Sequence, residues 1–463
     1  MVTAGADSPA IAVCMRRAVR WAVALGAFAL SAALLASPAA AKRFDAETFT
    51  LANGLQVVVI PIHRAPIASQ MVWYRAGAAD DPRGASGIAH FLEHLMFRGT
   101  RTVAPGAFSH AVADIGGRDN AFTMHDYTGF YETVAADRLA TVMRLEADRM
   151  ANLVITDAKV SPERKVIIEE RHTRIDNNPQ SLFQESFDAA LYLNLPYHRP
   201  VIGWLAEMQR LSTADALAFY RAWYAPNNAV VVIAGDVTPA QVRALAEKYY
   251  GPIPARPVPA HVVVPEPPHV AAVSLTMKSA RVPDPSWLRA YLAPSYTAGD
   301  ARQAYALQVA AEVLGDGATS RLYKGLVVDR KLALDAGAYY DPTTRYQSNF
   351  GFYATVAKGV DPAVFQDAAL AIVHAAVRDG LTAEEVARAK ARMQAEAVYT
   401  RDSLNGLARL VGAAIANGRT LDDVEAWPHR IGAVTVEQVN AALKSVLDDN
   451  HAVTGFLLPE PTS

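Results

Sequence analysis

The sequence of 463 residues contains one cysteine, Cys14. It precedes the first apolar run and is badly placed for a lipid-attachment motif. A chain processed after that run holds no cysteine, so it has no disulfide framework and no thiolate for a metal. An excess of one charge is also missing: 44 Lys and Arg face 46 Asp and Glu, a formal net charge of -2. That balance gives no footing for nucleic-acid binding. Long apolar runs are scarce. Residues 21–35 form one, but it is shorter than the ~20 residues of a spanning helix. Arg16, Arg17 and Arg20 precede it, and Ala39-Ala40-Ala41 follows as an A-x-A cleavage site. Residues 1–41 therefore read as a signal peptide cleaved before Lys42, with Met1 or Met15 as the start. A periplasmic or otherwise exported protein is expected, with no stable membrane span after cleavage. With 51% hydrophobic and 19% charged residues, the composition is that of a globular protein, and the length suggests two domains or more.

The most informative stretch is Ala89-His90-Phe91-Leu92-Glu93-His94-Leu95. It reads H-x-x-E-H in an apolar helical pattern. His90 and His94 lie one turn apart on one helix face. Two imidazoles so placed can hold one Zn²⁺ at about 2.0–2.1 Å each. Glu93, beside His94, suits a base that takes a proton from water better than a third ligand. Buried imidazoles and a carboxylate need partners, and a metal supplies one. Ser86 is the expected N-cap and Gly99 the expected C′ residue. The order is that of the inverted zincin signature.

Two strands are expected ahead of this helix, at residues 55–60 and 69–74, and one after it, at 120–131. Residues 136–153 then have helical spacing. Ser161-Pro162-Glu163 reads as the start of a further helix. On it Val166, Ile167 and Glu170 share a face with Glu163, which places Glu170 on an apolar stripe where a carboxylate wants a cation. Glu170 is the expected third ligand. Glu169, about 100° around the helix, is expected in solvent. Glu163 would stand one shell out, able to orient or tune the site.

Residues 213–228 and 436–451 resemble each other without a gap. Both begin as capped helices, at Ser212 and Thr435, and both lead through a polar corner into a strand. The sequence reads as a duplication of an α/β half. The expected organisation is residues 42–251 as the catalytic half, a proline-rich linker at 252–268, and a second half at 269–463 without H-x-x-E-H.

Taken with Asn120-Ala121-Phe122-Thr123, Tyr127-Thr128-Gly129-Phe130-Tyr131 and Val166-Ile167-Ile168-Glu169-Glu170, these motifs resemble the pitrilysin/insulysin family of zinc peptidases, which includes the mitochondrial processing peptidases. The resemblance covers essentially the whole chain after residue 41. It implies an α+β fold of two similar halves, each a mainly antiparallel sheet with helices on one face, forming half of a clamshell chamber. It implies zinc-dependent cleavage of peptides or unfolded segments, with Glu93 as base and Asn120 and Ala121 in contact with a peptide added to a sheet edge. Many members also carry an arginine and, seven residues on, a tyrosine in the second half. Ungapped alignment puts Val327 and Leu334 at those positions. Arg330 with Tyr339 or Tyr340 would substitute if the loop is shifted. Otherwise a second, similar chain is expected to bring the pair, making a heterodimer. The alternative on the same fold is a non-catalytic assembly subunit.

Overall fold

Val57, Val58, Val59 and Ile60, which belong to one of the β-rich runs, are fully or almost fully buried, so they need a sheet partner on both edges and cover on both faces. The computed structural model describes residues 45–262 and 265–460; the 1–41 signal segment lies outside the described residues. In the first half, Glu47–Thr50 (β1) turns back through Gly54, at φ 85°, into Gln56–Pro61 (β2). Then come Ile67–Tyr74 (β3), Ile88–Leu95 (α1), Ala107–Asp114 (α2), Arg118–Thr123 (β4) and Thr128–Ala135 (β5). Helices Leu139–Asn152 (α3), Asp157–Arg171 (α4), Pro179–Leu191 (α5), Leu205–Met208 (α6) and Thr213–Trp223 (α7) lead to Ala229–Gly235 (β6) and Pro239–Tyr249 (α8). The sheet order is β1-β2-β6-β3-β5-β4. All seven residues of β6 are buried, as expected for a strand paired on both sides near the centre.

The second half repeats this plan. Its elements are Val273–Ser279 (β7), Ser286–Ala293 (β8), Ala301–Gly315 (α9), Ala333–Tyr340 (β9), Ser348–Val356 (β10), Pro362–Asp379 (α10), Ala383–Asp402 (α11), Leu404–Ala416 (α12), Leu421–Ala433 (α13), Val436–Val446 (α14) and Val453–Pro459 (β11). The order β7-β11-β8-β10-β9 reproduces β2-β6-β3-β5-β4 strand for strand. The parallel neighbours are β2 with β6 in the first sheet and β7 with β11 in the second, and the other pairs are antiparallel. The fold is thus α+β with two homologous halves. Capping boxes at Ser212 and Thr435 start the matching helices α7 and α14.

The halves exchange helices. α12 lies across β3 and β6 of the first sheet, and α5 lies across β7, β8 and β11 of the second. The first contact depends on a missing side chain: a Cβ on Gly412 would lie 2.1 Å from Nε1 of Trp73. At the second, Gly455 faces Phe183 and Phe187. Residues of the expected linker form no helix or strand among those described, yet they are tied to the first half. The Glu266 carboxylate accepts backbone N–H bonds from Leu193, Asn194 and Leu195 at 2.6–3.3 Å.

Three local expectations are corrected. The stretch expected as one strand, 120–131, is a hairpin of β4 and β5. Met124–Tyr127 turn because the Met124 and His125 carbonyls accept N–H bonds from Ala78 and Ala79, and Asp126 takes the Tyr197 hydroxyl at 2.8 Å. The helix expected to begin at Ser161-Pro162 begins at Asp157. Extended Thr156 is its N-cap, and its carbonyl takes the Lys159 and Val160 N–H groups. Pro162 sits inside the helix, where it withholds one backbone donor. Val166 is 45% exposed. The buried stripe of α4 is Val160, Glu163, Ile167 and Arg171.

Gly412→Val should overpack the contact between α12 and Trp73 and cost about 1–3 kcal/mol. Urea unfolding measures this; an unchanged midpoint would mean that α12 is not seated on the first sheet.

Candidate metal centre

α1 starts at Gly87, whose φ is 84°. A Cβ there would lie 2.3 Å from the Ile202 carbonyl oxygen, so only glycine fits. The cap is not Ser86. Asp81 reaches across instead: its Oδ2 accepts the Gly87 N–H at 2.7 Å and its Oδ1 the Ala89 N–H at 3.0 Å. This satisfies two of the free donors of the first turn. Ser86 Oγ accepts the Trp204 N–H at 2.9 Å, clamping a second loop to the helix start. The helix ends at Leu95, and Gly99 follows at φ 88°.

Ile88, Phe91, Leu92 and Leu95 of α1 enter the core of the first half. The other face turns His90, Glu93 and His94 towards α4. His94 Nε2 lies 3.2 Å and His90 Nε2 3.7 Å from Glu170 Oε2. The donor atoms of His90, His94 and Glu170 all lie within 4.8 Å of one another. Ligands at about 2.0–2.1 Å from a tetrahedral zinc stand roughly 3.3 Å apart, so the donor set fits that ion in spacing and in chemistry. Glu169 points to solvent.

Charges around these donors are matched one by one. His94 Nδ1 contacts Glu163 Oε1 at 2.9 Å, the carboxylate–histidine pairing that fixes a ligand ring. Arg98 Nε pairs with the other Glu163 oxygen. Arg174 Nη1 lies 2.9 Å from Glu170 Oε1. Burial pushes His90 down to about 4, with His94 adding to the effect. Burial also acts to lower His94, but the Glu163 and Glu170 carboxylates outweigh it and push it up to about 9. Burial raises the Glu93 carboxyl, while the Thr123 hydroxyl, donating to Glu93 Oε2 at 2.5 Å, acts to lower it.

Asn120 and Ala121 lie on β4, at the edge of the first sheet. No described strand pairs with the outer side of β4. Asn120 is exposed, and its Oδ1 accepts the Ala121 N–H at 2.8 Å. Thr123 ends the same strand, three residues or about 10 Å along it. The edge therefore runs directly to Glu93. In the second half, Val327 sits in a π-helical turn, Tyr323–Asp329, and Leu334 is 57% exposed. The Tyr340 hydroxyl donates to the Pro294 carbonyl at 2.6 Å, and the Tyr339 ring lies over Gly351.

Asp81, Arg98, Thr123 and Arg174 are site residues that the sequence reading did not single out. Arg98 and Arg174 stand four residues beyond His94 and Glu170, a helical spacing that carries the signal. Thr123 and Asp81 meet α1 only through tertiary folding.

Two histidines of an H-x-x-E-H helix facing a glutamate on a second helix form the donor arrangement of an inverted zincin. Comparison with known proteins agrees. Residues 56–203 match the model of the insulinase family, peptidase family M16, and residues 210–393 match its inactive domain. The chain belongs to this family. It is 27% identical to the zinc protease PqqE of Helicobacter pylori over 420 residues, covering 89% of this chain and 93% of that one. The crystal structure of a protease from Helicobacter pylori superposes with a TM-score of 0.82 at 26% identity, covering 89% and 99% of the two chains. The periplasmic protease PqqL from Escherichia coli shares the fold, with a TM-score of 0.77 at 18% identity, over 90% of this chain and 48% of that one.

His90→Ala, His94→Ala and Glu170→Ala are each expected to lower zinc content, measured by elemental analysis of the purified protein, and Glu169→Ala is not. Metal lost from Glu169→Ala and kept by Glu170→Ala would contradict the assignment. Glu163→Gln should weaken zinc affinity about 10–100-fold, read by competition with a chelator; unchanged affinity would remove Glu163 from the site.

Proposed function

We propose that the protein is a zinc-dependent endopeptidase, binding one Zn²⁺ per chain through His90, His94 and Glu170. The observation that carries this is the convergence of those three donors beside a buried carboxylate, Glu93, that is held to the sheet edge. Zn²⁺ there supplies Lewis acidity, polarising a carbonyl and lowering the pKa of water towards about 7. The chain's own residues do the rest. An extended peptide adds to the open edge of β4 by backbone pairing, with Asn120 and Ala121 beside it. Thr123 fixes one Glu93 oxygen, which aims the other. Glu93 takes a proton from the attacking water and returns it to the leaving amine. Glu163 holds the His94 ring and, through Arg98, is itself held. Such an edge accepts peptides and unfolded segments and not folded proteins.

The second half carries no H-x-x-E-H, and Val327 and Leu334 offer no hydrogen bond to a developing oxyanion. Such a donor is commonly worth about 3 kcal/mol. We therefore place the chain as the zinc-bearing subunit of a heterodimer. Its partner is a similar exported chain that lacks H-x-x-E-H and carries the arginine and tyrosine. The positively charged N-terminal segment with its A-x-A site and the fold of a periplasmic protease support export. Among the described residues, no helix is long and apolar enough to cross a membrane.

Glu93→Gln should keep zinc and lose peptide cleavage, because the base is removed and the ligands remain. Cleavage of a fluorogenic peptide near the wild-type rate would sink the role of Glu93. The isolated chain should bind zinc yet cleave poorly until the partner is added. Full activity of the chain alone, abolished by Arg330→Ala, would overturn the division of labour.

A further inference from the structure

The second half holds a structural counterpart of the metal centre. α9 stands between β8 and β9 as α1 stands between β3 and β4, and α11 follows α10 as α4 follows α3. α9 packs on α11 and α14, the partners that correspond to α4 and α7 for α1. The buried stripe of α4 is Val160, Glu163 and Ile167; in the same register α11 buries Val386, Ala389 and Met393. That register brings Glu396 onto the position of Glu170. Facing it are Glu312, in the last turn of α9, and Asp316, the extended residue that caps its end, four residues apart like His90 and His94. Among the described residues, only two groups of acidic and histidine donors converge closely enough to hold a metal ion. One is His90, His94 and Glu170; the other is Glu312, Asp316 and Glu396.

A cation already lies among the second set. Arg392, one turn before Glu396 on α11, falls in register on Val166, whose side chain in the first half points to solvent. Arg392 turns inward. Its Nε pairs with Glu312 Oε1, and its Nη2 lies 3.2 Å from Asp316 Oδ2. Nη2 also donates to the backbone carbonyls of Glu312, at 3.3 Å, and Asp316, at 2.6 Å, at the negative end of α9. The backbone makes room for it: Gly317 has φ 76°, and a Cβ there would lie 2.7 Å from Arg392 Nη1. Burial, with the charges of Asp316 and Glu396, pushes the Glu312 carboxyl up to about 7 even with the arginine beside it. Two carboxylates thus hold one guanidinium, and the charge of Glu396 acts on it as well. Glu312, Asp316 and Arg392 border a cavity of about 350 Å³ that Ser320 also lines. The Ser320 hydroxyl is buried and, among the described residues, has no hydrogen-bond partner.

We infer that Glu312, Asp316 and Glu396 form a latent metal site in which the Arg392 guanidinium is the built-in cation. A guanidinium ties α9 to α11 as a metal would tie α1 to α4, but it has no open coordination position and cannot activate water. The second half keeps the cross-link and loses the chemistry. Without Arg392, the oxygens of three carboxylates, with the Ser320 hydroxyl nearby, suit a hard divalent ion such as Ca²⁺. Ca²⁺ also discriminates between the centres, because imidazoles bind it poorly.

The test compares the wild type, Arg392→Met and Arg392→Met/Glu396→Gln, each as the full chain. Ca²⁺ binding is read by calorimetry, the unfolding midpoint with and without Ca²⁺, and refolding yield from urea with and without Ca²⁺. Arg392→Met is expected to bind one Ca²⁺ per chain and to gain several degrees in midpoint, or, if it does not fold unaided, to refold only when Ca²⁺ is present. The wild type and the double variant should not respond. An Arg392→Met protein whose binding, midpoint and refolding all ignore Ca²⁺ would overturn the inference. So would a wild-type chain that binds Ca²⁺ and loses it on Glu396→Gln, because the resident cation would then be a metal.

Discussion

The attraction between groups on α1 and α4 is the interaction on which the rest of the first half depends. Two imidazoles and three carboxylates sit at or near the buried seam of these helices. Taken out of water singly, each would cost several kcal/mol. The carboxylates persist because each has an opposite charge or a donor: Glu163 has His94 and Arg98, Glu170 has Arg174, and Glu93 has Thr123. The remaining lone pairs of His90, His94 and Glu170 converge on one volume, where a divalent ion would complete the balance. The surroundings serve to hold that seam still. Asp81 fixes the start of α1, Ser86 and Arg199 pin the loops beside it, and β4 closes the side facing Glu93.

The duplication solves a different problem. A sheet with helices on one face leaves its other face exposed to water. Each half covers the bare face of the other with one helix, α12 on the first sheet and α5 on the second. The exchange needs close approach, which Gly412 and Gly455 provide by carrying no side chain. The second half is therefore more than a spent copy of the first. It roofs the sheet whose edge strand leads to Glu93, and its own helix pair is held by Arg392 in place of a metal.

The part of this arrangement legible in the sequence is the part governed by helical spacing and strand patterning. His90, Glu93 and His94 stand out because four residues make one turn. The two halves stand out because their last helix, corner and strand kept the same length. Glu170 was legible for a partly mistaken reason: it faces the seam, but Val166 beside it does not belong to the apolar stripe. Pro162 looked like a helix start because proline favours first positions, yet extended Thr156 had already begun the helix. The hairpin at Met124–Tyr127 was hidden because no glycine or proline marks it; loops from residues 78–79 and 197 hold it bent. Thr123 and Arg392 act across 30 and 80 residues, and Asp81 reaches its helix start through a loop; no local pattern announces them.

X-ray absorption at the zinc edge of the purified chain tests the metal centre most directly, because it reads the donors without needing a substrate or a partner. The expected spectrum shows two imidazole nitrogens and oxygen donors at about 2.0–2.1 Å, with the imidazole signal halved in His94→Ala. A zinc site with one imidazole or none, or three, would contradict a centre built from His90, His94 and Glu170.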